Sequence, residues 1–163
     1  MLLIACSGPA AARPTPSPTT ETTATAAIGA DGCGVTAVVR GGIPAWLDDA
    51  GGHNNPTGLR HVIGHPALVA GFLFGDPLRA GRPENPANKI LWVVRTPRQD
   101  SQLVIDGHPL GATASRIHQA QPASSGPGEI CPSIVDVPTV GCWQFDLRWA
   151  TTRGQVELNY IAG

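Results

Sequence analysis

Residues 142–149 read Cys142-Trp143-Gln144-Phe145-Asp146-Leu147-Arg148-Trp149, and residues 155–161 read Gln155-Val156-Glu157-Leu158-Asn159-Tyr160-Ile161. In the first stretch Trp143, Phe145, Leu147 and Trp149 alternate with Gln144, Asp146 and Arg148. Side chains of an extended strand point to opposite faces at every step, so this is a strand with one apolar and one polar face. The second stretch alternates in the same way, setting Val156, Leu158 and Tyr160 against Gln155, Glu157 and Asn159. With Ala150 to Gly154 as the turn, the two read as a hairpin. Phe145 and Leu147 lie between Trp143 and Trp149, which makes that face a core stripe rather than a platform for stacking sugars.

Working outward, Ile90-Leu91-Trp92-Val93-Val94 is apolar on both alternating faces, as in a central strand covered on two sides. Ala67 to Phe74 is a second apolar run, bounded by Pro66 and by Gly75-Asp76-Pro77, and Cys33 to Val39 reads as a first strand ended by Arg40-Gly41-Gly42. Pro44 to Ala50 fits one helical turn stopped by Gly51-Gly52. Gln102 to Ile105 and His108 to Leu110 flank Asp106-Gly107, a pair that favours a two-residue hairpin turn. Residues 53–60, 75–89 and 118–133 read as irregular connections, the last leading to Ile134-Val135. Seven to eight short strands without an amphipathic helix predict an all-β protein, an antiparallel β-sandwich over residues 31–163.

The composition agrees. Among 163 residues there are 20 glycines and 16 prolines but only 14% charged side chains, which suits a loop-rich β domain better than a helical bundle. A net charge of -1 supplies no concentrated positive field, so nucleic acid is disfavoured as a partner. Before the domain, Leu3-Ile4-Ala5-Cys6 resembles the lipobox of bacterial lipoproteins, which makes Cys6 the expected lipid attachment site and residues 1–6 a truncated signal. A complete signal has a basic n-region and an apolar core of about 7 to 15 residues, so the true start is expected upstream of Met1. Residues 7–30 interleave Pro9, Pro14, Pro16 and Pro18 with threonines and lack bulky apolar side chains, the composition of a disordered tether. Together these predict an extracytoplasmic head anchored to the membrane through lipid.

Setting Cys6 aside leaves Cys33, Cys131 and Cys142, enough for one intrachain bridge in an oxidising compartment. Cys33 with Cys142 is favoured because one opens the first strand and the other begins the strongest late strand. Cys131 with Cys142 is the competing pair, and free buried cysteines acting as small apolar side chains are the remaining alternative.

The stretches Asn88-Lys89-Ile90-Leu91-Trp92-Val93-Val94-Arg95, Pro132-Ser133-Ile134-Val135-Asp136-Val137-Pro138 and Gly141-Cys142-Trp143-Gln144-Phe145-Asp146-Leu147-Arg148-Trp149 resemble an uncharacterised family of bacterial exported lipoproteins with immunoglobulin-like heads. The resemblance covers most of residues 32–162 and implies a fold and an address, but no activity. The order Cys33, Trp92, Cys142 matches that of immunoglobulin domains at longer separations, with Val140 where a tyrosine corner would stand.

Catalytic signatures are missing: there is no Gly-x-Ser-x-Gly elbow, no His-Glu-x-x-His and no phosphate loop, and no cofactor is expected. His61 and His65 have helical ligand spacing, but Gly64 and Pro66 break a helix there, so both read as loop histidines. Asp48, Asp49, His53, Asn54 and Asn55 lack the fixed spacing of a calcium loop. Lys89, Arg95 and Arg98 read as a solvated sheet end. Trp46, with Asp48, Asp49 and His53, is the candidate partner-binding loop, and loops 40–66, 75–89 and 118–133 would carry recognition of an envelope protein or glycan. The alternatives are a hydrolase using loop carboxylates such as Asp48, Asp49, Glu84 or Glu129, or a metal-handling lipoprotein built on the five histidines.

Overall fold

The structure is a computed structural model, and it describes residues 33–52, 58–75, 77–82 and 88–163. Cys6, residues 7–30 where a tether is expected, His53 and Glu84 lie outside the described residues. In chain order the elements are β1 (Val38–Arg40), a helical turn α1 (Ala45–Leu47) continued by a wider turn over Asp48–Gly52, β2 (Arg60–Ile63), β3 (Val69–Leu73), β4 (Leu78–Ala80), β5 (Lys89–Val94), β6 (Leu103–Pro109), β7 (Ile117–Gln121), a short 3-10 turn (Ala123–Ser125), β8 (Ile130–Ile134), β9 (Gly141–Trp149) and β10 (Thr152–Ala162). The strands form two five-stranded sheets, ordered β1-β2-β3-β5-β8 and β4-β10-β9-β6-β7. All-β architecture with two sheets therefore stands, with ten strands among the described residues instead of seven or eight. One pairing departs from antiparallel: β4 runs parallel to the end of β10, with Tyr160 opposite Leu78.

One hydrophobic cluster joins the two sheets. Val62, Val69, Trp92, Val94 and Cys131 from the first sheet meet Leu103, Ile105, Trp143, Phe145, Leu147, Trp149, Val156, Leu158 and Tyr160 from the second. Each buried aromatic removes roughly 150–250 Å² from water, several kcal/mol apiece at about 25 cal/mol per Å². An indole N–H sealed in such a core loses that gain unless it finds an acceptor. Trp92 Nε1 donates to Ser133 Oγ at 2.9 Å, Trp143 Nε1 to the Thr139 carbonyl at 2.9 Å, and Trp149 Nε1 to Thr96 Oγ1 at 2.8 Å. The Tyr160 hydroxyl donates to the Val135 carbonyl at 2.9 Å, tying the second sheet to the segment after β8.

The hairpin of β9 and β10 forms as its alternation predicts, with Trp149 opposite Thr152 and Phe145 opposite Val156. Asp106-Gly107 is not a turn. β6 runs straight through it, and Gly107 lies opposite Phe145 of β9. A Cβ on Gly107 would stand 2.8 Å from Phe145 Cε1, so this glycine clears room for an aromatic ring. The chain reverses beyond Pro109 instead and returns as β7. Both β7 and β8 fall within or across the expected irregular connection 118–133. They were illegible because both are sheet edges: β7 is polar, and β8 carries Pro132, which an edge position tolerates. β2 likewise occupies a stretch expected to be loop, and β4 interrupts 75–89. The first strand starts at Val38, because Cys33 to Thr36 folds back on itself, Thr36 N–H donating to the Cys33 carbonyl at 3.2 Å.

Cys33 and Cys142 are joined, with their Cα atoms 5.7 Å apart and a sequence separation of 109, while Cys131 is a free, buried thiol. Cys142 alternates with the inward Trp143, so the bridge staples the start of the domain to the outer face of the second sheet. An immunoglobulin bridge, by contrast, crosses between sheets. Burial pushes the Cys131 thiol above its usual range, and the nearby Arg98 guanidinium only partly offsets this. Arg98 is not solvated as expected: it is 4% exposed, donates from Nη1 to Cys131 Sγ at 3.1 Å and from Nη2 to the Gly128 carbonyl, and pairs with Glu129.

A second cluster covers the outside of the first sheet. Leu47 from the helical turn packs on Ala70, Phe72 and Val93, with Ile43, Trp46 and Ala50 around it. His61, expected in a loop, sits in β2 at 1% exposure, its ring centroid 5.6 Å from that of Phe72, and its Nδ1 has no hydrogen-bond partner among the described residues. Burial holds its pKa below the ordinary 6.5, against a backbone hydrogen bond at Leu59 that raises it. The unfolded chain therefore binds more protons than the folded one below about pH 6.5, and the stability tied to neutral His61 is complete above that value and lost as the pH falls beneath it. Urea unfolding at about pH 7.5 and about pH 5.5 should show a smaller acid loss for His61→Leu than for the unsubstituted protein; equal losses would contradict this account.

Candidate functional site

The alternation that buries Trp143 and Phe145 projects Gln144, Asp146 and Arg148 from the outer face of the second sheet. Strand register then decides which side chains stand beside them. His118 of β7, Asp106 of β6, Asp146 of β9 and Gln155 of β10 form one row across four strands. His108, Gln144 and Glu157 form the row on one side of it, and Val104, Arg148 and Arg153 the row on the other. Directly opposed side chains on one sheet face have Cβ atoms about 4.5–5.5 Å apart, so Asp106 and Asp146 are neighbours, as are Arg148 and Arg153.

Two like-charged pairs side by side need compensation. Asp106 accepts from His118 Nδ1 at 2.7 Å through Oδ1 and from Arg148 Nη2 at 2.5 Å through Oδ2. Asp146 Oδ1 accepts from Gln155 Nε2 at 2.8 Å and Gln144 Nε2 at 3.2 Å, while Oδ2 faces His108 Nε2 at 3.3 Å. His108 is itself buried, its Nδ1 lying 3.1 Å from the Pro109 carbonyl. Both carboxylates are thus held in fixed orientations, Asp106 by a guanidinium and an imidazole and Asp146 by two amides and an imidazole.

The turn between β2 and β3 builds a wall over this face. His65 N–H donates to the Gln155 carbonyl at 2.8 Å and Gln155 N–H returns to the His65 carbonyl at 2.9 Å, so a segment of the first sheet clips onto the edge of β10. Gly64 permits the approach: a Cβ there would stand 2.7 Å from the Gln155 carbonyl oxygen and 2.6 Å from Val69 Cγ1. His65 and Pro66, joined by a cis peptide bond, remain exposed beside the strand. Between this wall and the sheet lies a cleft of about 590 Å³ lined by His65, Pro66, Asp106, Asp146, Arg148, Arg153 and Gln155, together with Leu147 and Gly154. A volume of this size is typical of small-molecule sites.

The residues expected to form a partner-binding loop lie elsewhere. Trp46 is half-buried on the second cluster, outside the first sheet, with the Arg95 guanidinium 5.8 Å from its ring centroid. Asp48 and Asp49 continue the same turn, and Glu129 is committed to Arg98, whose backbone N–H it accepts at 3.0 Å. The carboxylates that share a cleft come from strands, not loops. Asp146 was visible on the polar face of its strand, but the false turn at Asp106-Gly107 hid its partner. His61 and His65 are divided between the second cluster and the cleft wall. Among the described residues no three His, Cys, Asp or Glu side chains are grouped to hold a metal ion, and no helix is long and apolar enough to cross a membrane. Comparison with protein-family models, with curated proteins and with solved structures finds no match to this chain.

Proposed function

We propose that this chain is the folded head of an exported, lipid-anchored bacterial envelope protein. In this reading it is a sandwich of immunoglobulin-like layering that acts as a binding module, and the cleft on the outer face of the second sheet is its binding site. The observation that carries the binding reading is the cleft itself. Its polar groups sit on paired strands, locked by cross-strand contacts, and rigid elements hold a site more accurately than loops do. The face is rich in donors and acceptors, which suits a hydrophilic ligand such as an envelope glycan. The Cys33–Cys142 pairing supports an oxidising compartment, and the lipobox-like Leu3-Ile4-Ala5-Cys6 supports the anchor. Acyl chains contribute about 0.8 kcal/mol per buried methylene, so more than one chain on Cys6 gives lasting attachment.

Mass spectrometry of the membrane fraction of cells making the protein should find Cys6 acylated. An unmodified soluble chain beginning at Met1 would count against the anchor. For the site, purified full-length protein should be retained on isolated cell-wall glycan, and the double substitution Asp146→Ala with Arg148→Ala should release it while leaving the thermal transition within a few degrees. Equal retention of the variant would remove the cleft from this role.

A further inference from the structure

We propose that the ligand of this cleft is an acidic saccharide, its carboxylate held by Arg153 with Arg148 and its neighbouring hydroxyls donating to Asp146 and Asp106. The inference rests on the reading of the cleft as the binding site, and it follows from which groups are satisfied and which are not. Directly opposed like charges destabilise a sheet unless something answers them. Arg148 is answered by Asp106, but Arg153, directly across from it, has no hydrogen-bond or ion-pair partner among the described residues. Arg153 lines the cleft, and a guanidinium with no partner is a fork of donors that can take a carboxylate through two parallel hydrogen bonds.

The carboxylates supply the complementary half. Each has about four lone-pair sites. On Asp146, Oδ1 is filled by the two glutamine amides while Oδ2 meets only His108; on Asp106, each oxygen has a single donor. Three acceptor sites are therefore unused, on side chains 37% and 19% exposed. Residues two apart on a strand are about 6.6 Å apart, so these acceptors lie one residue-pair along from the guanidinium row. A ligand that matches has one anionic group and, a ring's breadth away, several hydroxyl donors. A phosphate dianion would bring its second charge towards Asp106 and Asp146. A free amino acid has one ammonium to offer three acceptors and leaves most of the cleft empty. Pro66 and the His65 ring give a wall for the C–H face of a sugar ring. The two arginines and two aspartates of the lining balance one another, which favours a lightly charged ligand over a polyanion.

Titration calorimetry of the full-length protein with D-glucuronate, D-glucose, L-glutamate and inorganic phosphate tests this. Glucuronate should bind about tenfold or more tightly than the other three. Arg153→Gln should weaken glucuronate about tenfold to a hundredfold, the loss of a charged hydrogen-bonding partner, and leave glucose unchanged. Asp146→Asn should weaken both sugars. Glucose equal to glucuronate, glutamate or phosphate equal or tighter, or no effect of Arg153→Gln would each overturn the proposal. If a different probe binds and Asp146→Asn abolishes it, the acidic-sugar inference fails and the binding site stands. If no probe binds, the inference fails, and retention on cell-wall glycan decides separately whether the binding reading fails with it.

Discussion

The inward turn of Trp143, Phe145, Leu147 and Trp149 along β9 is the constraint from which the rest of the molecule follows. Those four side chains have nowhere to go but against a second layer, and Trp92, Val62, Val69 and Val94 of the first sheet supply it. Because a strand has a period of two, a slip of one residue would expose all four at once, so the register of β9 is strongly fixed. The same fixed register sets the outer face. Gln144, Asp146 and Arg148 cannot move relative to Asp106 and His108 on one side or Arg153, Gln155 and Glu157 on the other without dismantling the core. The chemistry of the cleft is thus the reverse side of the packing.

The long edge of β10 shows how the two sheets are joined beyond their shared core. An uncovered edge offers a row of free backbone groups to any passing strand. Here three separate segments occupy it. β4 pairs with Tyr160 to Ala162, the His65 segment pairs with Gln155, and near Glu157 the Thr36 hydroxyl accepts the backbone N–H at 3.0 Å while the Glu157 carboxylate takes N–H groups of Val35 and Thr36. The disulfide fixes the segment that carries Val35 and Thr36. Covering this edge and walling the cleft are therefore one structural act, since His65 does both.

Much of the fold was legible because its strongest elements carry local signals. The alternation of β9 and β10 and the continuous apolar run of β5 need no partner to be read. What escaped depends on distant residues. Asp106-Gly107 has the composition of a hairpin turn, yet the glycine answers a ring 38 positions later, and that steric need overrides the local preference. β7 and β8 have too few apolar residues or a proline, because edge strands are shaped by what they avoid. The candidate site was half legible for the same reason: Asp146 and Arg148 showed on a polar face, while Asp106 and Arg153 became neighbours only through register. The buried Arg98 was also hidden, since its burial rests on Glu129, Gly128 and Cys131 arriving from β8 and the connection before it.

Three indoles are sealed between the two sheets, each with an internal acceptor, and a fourth, that of Trp46, is only partly covered. Hydrogen exchange of the tryptophan Nε1–H groups, followed by NMR in the folded protein, examines that directly. Trp92, Trp143 and Trp149 should exchange orders of magnitude more slowly than Trp46, at rates that approach global unfolding. Four indoles exchanging at one common, rapid rate would mean that β9 does not face a closed core, and the register on which the outer cleft depends would go with it.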